Sequence, residues 1–189
     1  MEPPYVTHNI LDYWTIATPG NAIDFGDLTI TKAGTMPIGN ATRGVYMGGH
    51  TGTALSTQTN VIDYITIATP GNAIDFGDMT EAKTKGGSCS SETRGVRGGG
   101  YPSTNVMDYI TTATTGNAVD FGDLTISRNS LGAGDISNGT RGNFIGGAPG
   151  PSSHGHDIID YITIATLGNA TDFGNLTNGR FVLAGCAGG

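Results

Sequence analysis

The triplet Asp-Phe-Gly occurs four times, at residues 24–26, 75–77, 120–122 and 172–174, and its carboxylates are the first candidates for chemistry in this chain. A protein kinase uses one such triplet to hold magnesium, beside a glycine-rich loop, a strand lysine and an HRD loop. Those companions do not occur in the sequence. Four equivalent copies describe architecture rather than one active site. Three copies carry a second carboxylate three residues on: Asp24 with Asp27, Asp75 with Asp78, and Asp120 with Asp123. The fourth pairs Asp172 with Asn175. Calcium takes about six to eight oxygens, so two carboxylates per repeat serve only if backbone oxygens or neighbouring repeats converge. The competing reading is that these aspartates accept turn hydrogen bonds from backbone N–H groups.

Two further groups have ligand chemistry. His154-Gly155-His156, beside Asp157, could hold zinc, copper or nickel through imidazole nitrogen. The alternative is a solvated loop, since the pair follows a Pro-Gly-Pro-Ser-Ser stretch and His8 and His50 lie elsewhere. Arg43, Arg94, Arg141 and Arg180 recur and could ring an anion. The structural alternative is that their guanidinium forks bridge neighbouring units through carboxylates or carbonyls. Nothing pairs a nucleophile with a base. The expectation is a non-enzymatic protein, with no catalytic residue, no cofactor and no metal ligand assigned.

The elements that position these residues are repeats. The phrase from Asp12 to Thr29 returns at residues 63–80, 108–125 and 160–177. Its tyrosines, Tyr13, Tyr64, Tyr109 and Tyr161, are 51, 45 and 52 residues apart. A period of about 40–50 residues marks a propeller or solenoid, in which no unit buries its apolar face alone. Within the phrase, Tyr64-Ile65-Thr66-Ile67-Ala68 suits a strand. Pro70-Gly71 suits the centre of a type II turn, and residues 73–76 suit a second strand. Gly77 and Asp78 are expected to end or bulge it.

A shorter phrase lies between hairpins: residues 42–49, 93–99 and 140–147, each opening Thr-Arg-Gly and closing on a double glycine. A reduced form, residues 179–185, ends the chain. On that alignment the fourth repeat lacks about eleven residues, equivalent to 81–91, which therefore read as a surface loop. The repeats run at about 8–49, 60–100, 105–147 and 157–187, in one domain over 1–189. With four of each phrase, residues 180–185 would complete the N-terminal blade. Such pairing leaves no open sheet edge. The expected fold is all-β: a closed, four-bladed propeller. The alternative is an open or oligomeric arrangement in which chains complete one another.

The arginine, short apolar strand and double glycine of residues 43–49, followed by a tyrosine strand, resemble a compressed kelch repeat. Phe25, Phe76, Phe121 and Phe173 stand near the usual kelch tryptophan. The wording of the whole repeat is also similar to repeat proteins of tailed phages of marine cyanobacteria. That resemblance implies a virion-associated structural or host-contact protein, made in the host cytoplasm. Its partners would be other virion proteins of the capsid or tail. A host-surface glycan, held by loops 32–40, 54–59, 81–91, 127–138 and 149–156, is the alternative. Self-association is open.

Composition sets limits consistent with this. Net charge is −7, without the basic stripe that nucleic-acid binding needs. No run approaches the length of a membrane span, and the start shows no signal peptide. Cys89 and Cys186 are too few for a disulfide framework.

Overall fold

A computed structural model describes residues 7–52, 55, 57–132, 134–150 and 154–185. These residues are all-β, with 13 strands among them in four antiparallel sheets. Among the described residues no helix is long and apolar enough to cross a membrane. The first sheet is the hairpin β1 (Ile10–Tyr13) and β2 (Ile23–Asp27). The second is a meander of β3 (Met36–Gly39), β4 (Arg43–Met47), β5 (Val61–Thr66) and β6 (Ile74–Asp78). The third repeats it with β7 (Gly87–Ser90), β8 (Arg94–Gly98), β9 (Thr104–Thr111) and β10 (Val119–Arg128). The fourth holds β11 (Arg141–Ile145), β12 (Ile158–Thr163) and β13 (Thr171–Asn175), with a Ser137–Gly142 bridge where its first strand would lie.

The hairpin tips differ from the expected turn. The tight turn is three residues earlier: Thr69 N–H donates to the Thr66 carbonyl, and the same bond recurs from Thr18 to Thr15, Thr114 to Thr111 and Thr166 to Thr163. Pro70-Gly71 follows the turn instead of forming it. The second strand carries the expected bulge: Asp63 pairs Asp75, but Ile62 pairs Gly77, leaving Phe76 extra. The bulge turns Phe76 inward and leaves Ile74 exposed. The alternation of a regular strand would have placed both on one side.

Sheets join through a backbone hook used three times. The Gly71 and Ala73 N–H groups donate to the Phe25 and Asp27 carbonyls. Gly116 and Ala118 do the same to Phe76 and Asp78, and Gly168 and Ala170 to Phe121 and Asp123. The amide side chain between them completes the hook: Asn72, Asn117 and Asn169 Oδ1 accept from the Asp27, Asp78 and Asp123 N–H groups at 3.0–3.1 Å. Each hook seals an apolar cluster. Phe25, Leu11 and Leu28 pack with Ala73 and Ile65; Phe76 packs with Ala118 and Ile110; Phe121 packs with Ile162 and Ala170.

The connectors are core, not loop. Cys89 in β7 is fully buried, as are Met36 and Ile38 in β3. The segment 81–91, expected at the surface, thus supplies a central strand, because β7 lies between β3 and β11. The double glycines align as Gly48-Gly49, Gly99-Gly100 and Gly146-Gly147. The first of each donates to the carbonyl of Val61, Val106 or Ile158, and the second to that of Lys83, Arg128 or Arg180.

That last set corrects the reading of the C-terminus. Arg180 is equivalent to Lys83 and Arg128, not to Arg43. A left-handed residue follows two positions later each time: Gly34 (φ 64°), Lys85 (57°), Ser130 (52°) and Val182 (54°). The fourth repeat has therefore lost nothing from its middle. Closure is likewise not found among the described residues. The first sheet has two strands, and Arg180 and Val182 bond to His156, Gly147 and Ser130 rather than to β1.

Glycine is required at the bulge. Gly77 has φ 142°, and a Cβ there would lie 2.5 Å from the Gly116 carbonyl. Gly174, with φ 137°, has nothing within 4 Å. Gly174→Ala should cost only backbone strain, about 1–3 kcal/mol. Gly77→Ala should cost about 1–3 kcal/mol more, because it overpacks the hook. Urea unfolding of both variants tests this; equal losses would refute the hook as the source.

Candidate functional site

Each hook sits beside a buried carboxylate. Asp63, Asp108 and Asp160 each stand one residue before the hairpin tyrosine, and all three are fully buried. Each receives the hydroxyl of a threonine from the preceding repeat: Thr29 on Asp63 at 2.5 Å, Thr80 on Asp108 at 2.5 Å, and Thr125 on Asp160 at 2.7 Å. The Thr80 and Thr125 N–H groups add a second donor at 3.2 Å.

A cation completes each site. Lys32 Nζ lies 3.0 Å from Asp63, Arg97 Nη2 2.5 Å from Asp108, and Arg128 Nη2 2.7 Å from Asp160, with every one of these side chains buried. The cations also donate to matching carbonyls: Lys32 to Val61, Arg97 to Val106, Arg128 to Ile158. Burial pushes the Lys32 ammonium and the Arg128 guanidinium down from their ordinary pKa values, and the facing aspartates oppose that. The second junction takes its cation from a different strand. Lys83 holds the position equivalent to Lys32 but pairs with Glu81 and donates to the Pro102 carbonyl. Arg97 on β8 reaches in from the position that is Tyr46 in β4 and Phe144 in β11.

The sequence signal for these sites is a fixed spacing. Asp12 and Lys32, Asp63 and Lys83, Asp108 and Arg128, and Asp160 and Arg180 are each 20 residues apart. The aspartates of the hairpin opening, rather than those of Asp-Phe-Gly, are thus the charged centres of the fold.

The repeated arginines form a ladder. Arg43, Arg94 and Arg141 lie over Tyr64, Tyr109 and Tyr161, at 4.4–4.5 Å from the ring centroids. Each tyrosine meets the phenylalanine of its hairpin edge-on, at 5.8–6.1 Å. Arg43 donates to the Thr112 carbonyl and Arg94 to that of Ile164, each in the next sheet. They bridge units, as the structural reading anticipated, through carbonyls.

The metal candidates are placed as follows. Asp24 and Asp172 accept from the Gly26 and Gly174 N–H groups two residues on, at 3.2 and 3.1 Å, which is the expected turn bond. His154 is exposed, while His156 is half-buried and its backbone N–H donates to the Gly147 carbonyl. Among the described residues no three His, Cys, Asp or Glu side chains converge as a metal site.

Three shallow grooves lie along the hairpins, two of them reaching the phenylalanine of the preceding hairpin. One is lined by Tyr161, Thr163, Thr166, Asn169 and Phe121; Tyr109 and Tyr64 head the other two. No family model matches the chain, and no curated protein sequence matches it.

Removing one partner of a buried pair strands the other charge, at about 3–5 kcal/mol. Asp108→Asn should lose about that much, while Asp12→Asn, at the exposed equivalent position, should stay within about 0.5 kcal/mol. Denaturant midpoints of the two variants give the comparison. Burial, with Asp135 nearby, pushes the Cys89 thiol far above its ordinary range. Peptide mass spectrometry should therefore find Cys89 alkylated only after the protein is unfolded.

Proposed function

We propose that the chain is a non-enzymatic structural protein of a phage particle, attached to the capsid or tail. The observation that supports this best is the use of its repeated charges. At the three junctions the buried aspartates are consumed in accepting a threonine of the preceding repeat, and the lysine and arginines in neutralising them. A body built this way is a rigid scaffold, and loops on rigid scaffolds are free to dock. The similarity of the repeat wording to phage repeat proteins gives the biological setting.

A glycan-binding role is the second reading, and one feature favours it. The three hairpin grooves each present a tyrosine flanked by threonine hydroxyls at a regular interval. Aromatic rings beside hydroxyls suit a sugar, with one apolar face and hydrogen bonds at its rim. On this reading the ligand follows the grooves rather than connectors 32–40, 81–91 and 127–138, which carry buried residues.

Two measurements decide. Mass spectrometry of purified virions should recover this chain in fixed proportion to the major capsid or tail protein; its absence from intact particles would overturn the scaffold reading. The isolated protein on a glycan array should show no saturable signal. Saturable binding that is lost in Tyr109→Ala would favour the second reading instead.

A further inference from the structure

The first and last described repeats carry the two halves of one more junction. At the trailing end, β13 is an edge strand. Its outer side offers the carbonyls of Phe173 and Asn175, equivalent to those that receive a hook at β2, β6 and β10. Phe173 is 56% exposed, whereas Phe25, Phe76 and Phe121 are 7%, 2% and 2% exposed beneath their hooks. A Cβ built on Gly174 meets nothing, where one on Gly77 or Gly122 meets the next glycine's carbonyl. Thr177 and Arg180 stand, exposed, at the positions of Thr29 with Lys32 and of Thr125 with Arg128.

The leading end carries the complement. Gly20, Asn21 and Ala22 are exposed, and they match the residues that form each hook. Asp12 is an exposed carboxylate at the position where Asp63, Asp108 and Asp160 are buried. Trp14 is 67% exposed at the position where Ile65, Ile110 and Ile162 join the phenylalanine clusters.

We propose that a second copy of this chain docks head to tail on β13. Its Gly20 and Ala22 N–H groups donate to the Phe173 and Asn175 carbonyls, and its Asn21 amide accepts from the Asn175 N–H. Trp14 and Ala22 of that copy cover Phe173, and its Asp12 accepts Thr177 and Arg180. The occupant is set by continuity: the contact repeats one the chain makes three times with itself. Charge agrees, since a lone carboxylate at one end meets a cation and a hydroxyl at the other. The two patches differ, so the contact is heterologous and propagates into a ring or a filament. An edge strand with a free carbonyl row is a ready template for such addition.

The test uses the full chain. Sedimentation velocity over a concentration series should show mass rising with concentration. Trp14 is the only tryptophan, so its emission should shift to the blue over the same range. Asp12→Arg and Arg180→Asp should each weaken association on the order of a hundredfold. Circular dichroism should remain that of the wild type, because both side chains are exposed. Mixing the two variants makes every junction complementary again and should restore assembly and the blue shift. Phe173→Ser should weaken association without a charge change. A monomer at all concentrations, association that neither charge variant weakens, or a mixture that stays monomeric would each overturn the proposal.

Discussion

The fold depends on carboxylates that cannot be buried alone. Taking an ion from water costs several kcal/mol even after relaxation, and this is recovered only with good geometry and full hydrogen bonding. Asp63, Asp108 and Asp160 are fully buried, and in each case the threonine that satisfies it comes from the repeat before. A repeat without its neighbour would therefore leave its carboxylate short of the threonine donor and its phenylalanine uncovered. Apolar contact alone would tolerate a hairpin sliding along its neighbour. The threonine, cation and backbone hook all have to land together, so they fix which residue faces which.

The second junction shows that geometry rather than sequence position is what must be kept. Lys32 and Arg128 come from the stretch after a hairpin, while Arg97 comes from a strand of the same sheet as its aspartate. Both routes deliver a positive charge to one carboxylate and to the carbonyl two residues before it. Arg97 takes a place held elsewhere by an aromatic ring, so the exchange also trades apolar packing for an ion pair. Guanidinium suits this because it donates in a planar fork and is more weakly hydrated than ammonium.

Much of this was legible in the residues. The hairpins, their bulges at Asp-Phe-Gly and the all-β class follow from alternation, β-branched content and glycine placement. Arg180 resembles Arg43 in sequence because Phe181-Val182-Leu183 looks like the strand after Arg43. What defines it is a left-handed residue two positions on, and a valine there gives no sign of positive φ. Segment 81–91 reads as dispensable only because aligning Arg180 with Arg43 makes the fourth repeat lack it, and its Gly86, Gly87, Ser88 and Ser90 give no apolar strand pattern against that reading. Small side chains are what a strand between two others needs: a Cβ on Gly87 would meet Phe144 and Leu131. The Asp-to-cation spacing of 20 was in plain view but carried no local pattern, because its partners meet only across a junction.

The same spacing locates where the chain is free to vary. From each buried aspartate to the cation position the count is constant, and the arginine of the next phrase follows Lys32 and Lys83 by 11 residues and Arg128 by 13. The repeat length of 45 rather than 51 or 52 therefore arises almost wholly after the double glycine. Gly49 precedes Asp63 by 14 residues, Gly100 precedes Asp108 by 8, and Gly147 precedes Asp160 by 13. Loop-closure cost grows slowly with length, so these connections can lengthen without disturbing a junction. They leave the sheet from equivalent points, after Gly49, Gly100 and Gly147. Differences in length between repeats are thereby confined to these connections, while the residues that make the repeats alike are spent on holding them together.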